Sequence, residues 1–362
     1  MLQGLLGIFS GLITPVQTAV NTRLGRSIGS PLRASLVSFS VGLIAMLTLT
    51  LLLGPYPLIP ATAANGPWWM WFAGVFGVTF LTGNVLLLPK LGSLKTVIMP
   101  VTGQIVMGLL IDAFGWFGTT AQPISPLRIA GAAITLVGFL LAVAGPNLRL
   151  RPAIDRPAGG SENSGDSEKS ETDGKAVHVP GSATVLWSCA GIAFGMCSAV
   201  QTALLGKLGV ALGSPVKASL ASFVVGLISL AIVVAFVDRT YSLGDALKKG
   251  NPWWMWAGGL LGATLVMCNA YLSAHIGTGM TVMLVLLGQV GGGLLVDRFG
   301  LLGVPRKPVA GIQYVGVLVA IVGIEKINIG ETVCDTEKPE ALPTIDIDEP
   351  TLSMVFYVND SP

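Results

Sequence analysis

Polar side chains that could bind a solute recur inside the apolar stretches of this chain. In the first stretch, Thr14, Gln17 and Asn21 follow at three- and four-residue steps, so they share one face of a helix. Amides and hydroxyls are costly in lipid unless they turn inward or pair, and they can hydrogen-bond a polar solute. We predict a pathway lined by Thr14, Gln17, Asn21, Ser35, Ser38, Asn84, Gln104, Arg128, Ser198, Gln201, Ser219, Ser222, Asn269 and Gln289. Hydrogen bonding between helices is the alternative that the sequence leaves open.

Two acidic residues, Asp112 and Asp297, lie near the apolar stretches, each at the predicted end of a helix. We expect an interfacial carboxylate that pairs with a loop cation, such as Arg128 or Arg298, and keep a proton-carrying acid as the alternative. Both residues are therefore candidate ion or charge partners of the pathway.

The sequence predicts no catalytic centre, metal site or cofactor. It contains no CxxC pair and no nucleotide-binding P-loop. Its two histidines fall in different settings, His178 in a predicted linker and His275 in a predicted loop. These features argue against an enzyme, and no basic run indicates nucleic-acid binding.

The elements that carry these residues occur twice. Gln17–Gly42 returns as Gln201–Gly226, and the PWWMW of Pro67–Trp71 returns at Pro252–Trp256. A repeat of this length sets the architecture of a chain.

The composition predicts an all-α integral membrane protein. Hydrophobic residues make up 52% of the chain and charged residues 11%, whereas soluble domains carry about 25% charged residues. A helix of about 20 mostly apolar residues crosses a bilayer, and each copy contains five such stretches. We place ten transmembrane helices at residues 2–22, 32–53, 68–88, 94–113, 127–146, 184–205, 216–237, 253–273, 279–296 and 309–325.

An odd number of helices per copy predicts inverted-topology repeats, because the second copy then starts on the opposite face. We call the face at which the first helix begins face A, and the other face B. Of the 21 Lys and Arg residues, sixteen fall on face B. The positive-inside bias therefore places face B in the cytoplasm of a multi-pass plasma (inner) membrane protein, with both termini outside.

The repeats define four segments. Residues 1–147 form the first five-helix repeat and residues 183–327 the second, inverted one. Residues 148–182, rich in Gly, Ser and mixed charge, are predicted to be a disordered cytoplasmic linker. Residues 328–362 are predicted to be a disordered acidic tail.

The first copy contains a set of residues that together form a recognisable pattern: Gln17, Asn21, Gly29–Pro31, Pro67–Trp69, Gly74, Gly77, Gly103, Gln104, Asp112, Phe114, Gly115, Arg128 and Gly131. In this pattern the repeated unit resembles the YdcZ-type family of the drug/metabolite transporter superfamily. The second copy departs from the pattern at Leu205, where the first has Asn21, and at Gln313, where the first has Arg128.

This resemblance implies a secondary transporter that exports a small metabolite or cationic compound by alternating access. A flippase for a lipid-linked substrate, or a non-transporting membrane subunit or sensor, remains the alternative. The expected partners are a small-molecule substrate and the lipid bilayer, and the fused repeats imply a monomer that acts as a pseudo-dimer.

Overall fold

The computed structural model describes residues 2–53, 59–119, 121–122, 125–144, 181–247, 252–303, 306 and 309–328. One unit extends from Met1 to Ile327 and a second from Asn328 to Pro362. The predicted linker before residue 181 and the predicted tail after residue 328 lie outside the described residues.

The described chain is helical and contains no strand, as the composition predicts. Its α-helices are α1 Leu2–Ile28, α2 Pro31–Leu53, α3 Ala61–Ala64, α4 Ala73–Phe114, α5 Pro126–Ala144, α6 Gly181–Ala211, α7 Pro215–Val237, α8 Gly258–Ile276, α9 Thr278–Phe299 and α10 Gly311–Asn328. The helices α1 and α6 continue to Ile28 and Ala211, past the predicted ends at Thr22 and Leu205.

Eight described segments are long and apolar enough to cross a membrane. They are Pro31–Leu53, Trp68–Leu87, Lys95–Phe114, Pro126–Val143, Thr184–Ala211, Pro215–Val237, Trp253–Ile276 and Thr278–Phe299. The chain is therefore an α-helical, multi-pass membrane protein. The helix α1 is not among these segments, and the apolar part of α10, Gly311–Ile324, is shorter. Membrane crossing by these two helices stays a prediction.

A glycine bends each copy at the same place. The predicted stretches 68–88 and 94–113 correspond to two membrane-crossing segments, Trp68–Leu87 and Lys95–Phe114. Gly92, which has a non-helical backbone with φ 74°, lies between them within α4. In the second copy, Gly277 has φ 81° and separates α8 from α9. Glycine suits both positions because it adopts positive φ without steric cost.

The two copies interleave. Helix α1 packs against α8 and α9 of the other copy, α6 packs against α4, and α2 packs against α7. At the α2–α7 contact, the ring centroids of Phe39 and Phe223 lie 5.2 Å apart. Each ring also occupies the space beside a glycine of the opposite helix, Phe223 at Gly42 and Phe39 at Gly226. At the α2–α7 contact, the two copies are therefore equivalent.

Glycines allow the closest helix crossings. Gly11 of α1 faces Gly288 of α9, and a β-carbon on Gly288 would collide with the Ile8 carbonyl. Gly195 of α6 lies against the backbone of Pro100 in the second part of α4 in the same way. Small residues are what permit backbones to approach this closely in membranes.

Candidate substrate pathway

The repeated glutamines lie where one copy meets the other. The Gln17 side-chain nitrogen on α1 is 2.5 Å from the position that a β-carbon on Gly262 of α8 would occupy. Gln201 on α6 lies in the same way against Gly77 of α4. Both glutamines are partly buried, and neither amide has a hydrogen-bond partner among the described residues. Both amides therefore keep their hydrogen-bonding capacity for another molecule.

The first copy has a polar contact that the second lacks. The Ser38 hydroxyl donates to Oδ1 of Asn21 at 2.6 Å, and a β-carbon on Gly258 would collide with that oxygen. The equivalent residues of the second copy include Leu205, which is buried in the apolar core together with Ala73. Gly258 and Ala73 occupy equivalent positions of the repeat. Asn21 therefore has a glycine at this position of the other copy, and Leu205 has the larger alanine.

This difference predicts the effect of making the second copy match the first. We expect Leu205→Asn to lower the free energy of unfolding by about 1–3 kcal/mol, because its amide would be buried among apolar side chains. The double variant Leu205→Asn with Ala73→Gly should recover part of the loss, since it recreates the space found at Gly258. Thermal unfolding in detergent measures both effects. Unchanged stability of Leu205→Asn would contradict close packing at this position.

Four other predicted residues divide into two kinds. Ser35 and Ser219 each donate a hydrogen bond within their own helix, to the carbonyls of Pro31 and Pro215. The hydroxyl of Thr14 and the side-chain oxygen of Asn269 are buried without a partner in the described part of the chain. A buried polar atom without a partner is costly, so these two atoms are suited to meet water or a solute.

The remaining predicted amides and hydroxyls make no side-chain hydrogen bond within the described ranges. They are Asn84, Gln104, Ser198, Ser222 and Gln289. All but Ser222 are partly buried, and Ser222 is buried. Their place in a pathway stays a prediction.

Asp112 has a role that its sequence position did not predict. Its carboxylate is 2% exposed and accepts hydrogen bonds from the backbone N–H of Thr278 at 2.8 Å and of Gly279 at 2.7 Å. A carboxylate at a helix N-terminus is favourable because it pairs with free N–H groups and with the helix dipole. The first copy thus caps α9 of the second copy.

Arg128 belongs to the same end of the molecule. Its guanidinium donates to the Gln122 side chain, and the Gln122 backbone N–H donates to the Asp112 carbonyl at 2.8 Å. Asp297, the equivalent of Asp112, is only partly buried. Its expected neighbour Arg298 donates to the Tyr314 hydroxyl at 2.7 Å.

Two cavities lie outside the predicted set. The first, of about 140 Å³ on face A, is lined by residues that include Gln122, Lys207, Ser273 and His275. His275 lies in the last turn of α8 and not in the predicted loop. The second, of about 250 Å³, is mainly apolar and lies between α4, α6 and α7. In the sequence, the residue that could have indicated the first cavity is Lys207. Its repeat equivalent Arg23 lies on the opposite face, so the positive-inside bias cannot explain both cations.

Known proteins resemble this chain to very different extents. The large ribosomal subunit assembly factor BipA of Escherichia coli K12 is 57% identical over 47 residues, which are 13% of this chain and 8% of BipA. BipA of Bacillus subtilis is 48% identical over 64 residues, 18% of this chain and 10% of BipA. The chain thus spans at most about a tenth of these two relatives, and such short matches do not extend their activity to it.

The chain is also similar, over most of its length, to a solved structure and to a protein family. A crystal structure described only as that of a protein matches with a TM-score of 0.59 and 13% identity, covering 90% of this chain and 97% of that one. That likeness concerns the fold alone. The family described as "Putative inner membrane exporter, YdcZ" matches residues 2–141 and 186–325, once in each copy. The chain therefore belongs to the YdcZ family of the drug/metabolite transporters and carries two of its units.

Proposed function

We propose that this protein is a secondary transporter that exports a small polar metabolite by alternating access. The observation that carries the proposal is the pair Gln17 and Gln201, two amides without described partners at equivalent contacts between the copies. Two equivalent binding groups on two copies allow a solute to be held between them while the copies move. Membership of a family described as exporters supports export as the direction of transport.

The helix ends support the inverted arrangement of the repeats. The C-terminal end of α4, at Asp112, contacts the N-terminal end of α9, at Thr278. Residues 93–114 and α9 are equivalent parts of the two copies. The last residues of the first therefore lie beside the first residues of the second. Two copies inserted in opposite directions would bring these ends together on one face.

The charges support a neutral polar metabolite over a cation. A cationic solute needs a carboxylate or an aromatic face. The Asp112 carboxylate already binds the start of α9, and Asp297 lies near the face B end of α9, away from the two central amides. Asp238 pairs with Arg33 at 3.2 Å. The predicted pathway instead offers amides and hydroxyls, which bind neutral polar groups.

The proposed orientation places face B in the cytoplasm and predicts a labelling pattern. Asn65 on face A and Ser242 on face B are both exposed. In a variant without native cysteines, we expect a membrane-impermeant maleimide to label Asn65→Cys in intact cells and to label Ser242→Cys only after lysis. Lysed cells control for reactivity at both sites. Labelling of Ser242→Cys in intact cells would reverse the orientation.

Transport itself is tested in two steps. A thermal-shift screen of the purified protein against small polar metabolites identifies compounds that stabilise it. Uptake of each stabilising compound into proteoliposomes then tests movement, with protein-free liposomes as the control. Absence of any protein-dependent movement would contradict the proposal.

The apolar cavity keeps one other function open to test. Its lining residues include Val78, Leu86, Phe194 and Val233, which suit a lipid chain better than a polar solute. A fluorescent phospholipid in the same proteoliposomes distinguishes a flippase: its protein-dependent movement, without movement of any metabolite, would favour this alternative.

A further inference from the structure

The two ends of the α4–α9 contact differ, although the sequence repeat makes them equivalent. On face A, the Asp112 carboxylate holds the first two N–H groups of α9. On face B, the equivalent Asp297 has no hydrogen bond or ion pair with any described residue. One copy of the interaction is formed and the other is not.

The glycines at these two ends show the same difference. A β-carbon on Gly277 would lie 3.0 Å from the Asp112 carboxylate, whereas one on the equivalent Gly92 would meet nothing within 4 Å. A β-carbon on Gly108 would lie 3.0 Å from the Gly279 backbone, whereas one on the equivalent Gly293 would again meet nothing within 4 Å. The two segments are therefore in tight contact on face A and separated on face B.

Burial follows the same pattern. Val282, in the second turn of α9, is 5% exposed, and the equivalent Val97 in α4 is 43% exposed. The side chains have the same size and the same position in the repeat. Their different exposure therefore shows that the helices around them pack differently at the two ends.

We propose that Asp112 and Asp297 are the two alternating latches of a gate, and that this structure has the face A latch closed. In the opposite state, Asp297 accepts hydrogen bonds from the first N–H groups after Gly92, and Asp112 releases α9. This inference rests on the proposed alternating access and names the residues that hold each end state. Under the proposed orientation, the described state is open toward the cytoplasm.

An aspartate suits this role because its bond to a helix start is strong and also reversible. A buried carboxylate that accepts two N–H bonds stabilises the closed end by charge-assisted hydrogen bonding. When the end opens, water on the exposed face can solvate both the carboxylate and the helix start. Each latch therefore favours one end state without preventing the other.

The latch is tested by thiol accessibility, which requires no substrate. Val282→Cys, in a variant without native cysteines and in proteoliposomes, should react slowly with an impermeant maleimide while the face A latch is closed. Adding Asp112→Asn should raise its labelling rate about tenfold or more, because the amide retains only one acceptor oxygen and the population shifts. Adding Asp297→Asn instead should leave the rate low or lower it, because the opposite state loses its latch.

Val97→Cys provides the matched control at the equivalent position. Its labelling should fall with Asp112→Asn and should not rise, whereas general unfolding would raise labelling at both valines. Unchanged labelling of Val282→Cys in a folded Asp112→Asn variant would show that Asp112 is a permanent cap and would overturn the proposal. Suppose that Asp112→Asn raises the labelling of Val282→Cys and lowers that of Val97→Cys, but the protein transports nothing. The latch would then stand and the proposed function would be refuted.

Discussion

Replacing Gly288 with leucine is expected to prevent the protein from being isolated in a folded state. A β-carbon there would collide with the Ile8 carbonyl of α1, and Gly11 lies directly opposite. Overpacking of a close contact costs about 1–3 kcal/mol, and a backbone that cannot move aside raises the cost. Size-exclusion chromatography and thermal unfolding in detergent measure the loss. Gly288→Ala should give a smaller loss of the same kind.

The helix α9 offers its own control for this prediction. Gly291 lies less than one turn from Gly288, and a β-carbon there would meet nothing within 4 Å. Gly291→Leu should therefore leave the unfolding temperature unchanged or raise it slightly, since leucine favours helix over glycine. Equal losses at both positions would mean that helix propensity or membrane insertion, and not the α1–α9 crossing, decides stability.

Removal of the two central amides is expected to have the largest effect on transport. Gln17→Leu and Gln201→Leu each keep the side chain near its original size and delete its hydrogen-bonding groups. Loss of one or two hydrogen bonds to a solute should lower the initial transport rate about 10- to 100-fold. The double variant should be inactive. The measurement is the initial rate of protein-dependent uptake into proteoliposomes at matched protein content.

A neighbouring residue separates binding from folding. Thr18 is adjacent to Gln17 on α1 but is exposed, and its hydroxyl bonds only the Thr14 carbonyl. Thr18→Val should therefore retain transport, and all four variants should unfold at similar temperatures. Full activity of both single glutamine variants would assign these amides to helix packing.

The sequence was sufficient to predict the repeated architecture. The PWWMW motif and the glutamines recur in the same order, and the family match falls on the same two copies. Apolar length predicted most of the membrane-crossing segments, because lipid allows a helix only if nearly every side chain is apolar. It also predicted the separate stretches 68–88 and 94–113, which match two membrane-crossing segments, but it could not locate the break at Gly92 between them, because one residue with positive φ leaves no pattern in the surrounding sequence.

The tertiary structure alone decided which repeated residues have different environments. Asp112 and Asp297 occupy equivalent positions of the repeat, but of the two only Asp112 is buried at the start of a helix from the other copy. Periodicity describes one helix at a time, whereas a cap between copies depends on how two helix ends approach each other. The sequence therefore determined the elements and their repetition. Packing between the copies determined that Gln17 lies against Gly262 and that Asp112 binds the start of α9, because a hydrogen bond needs both partners in place.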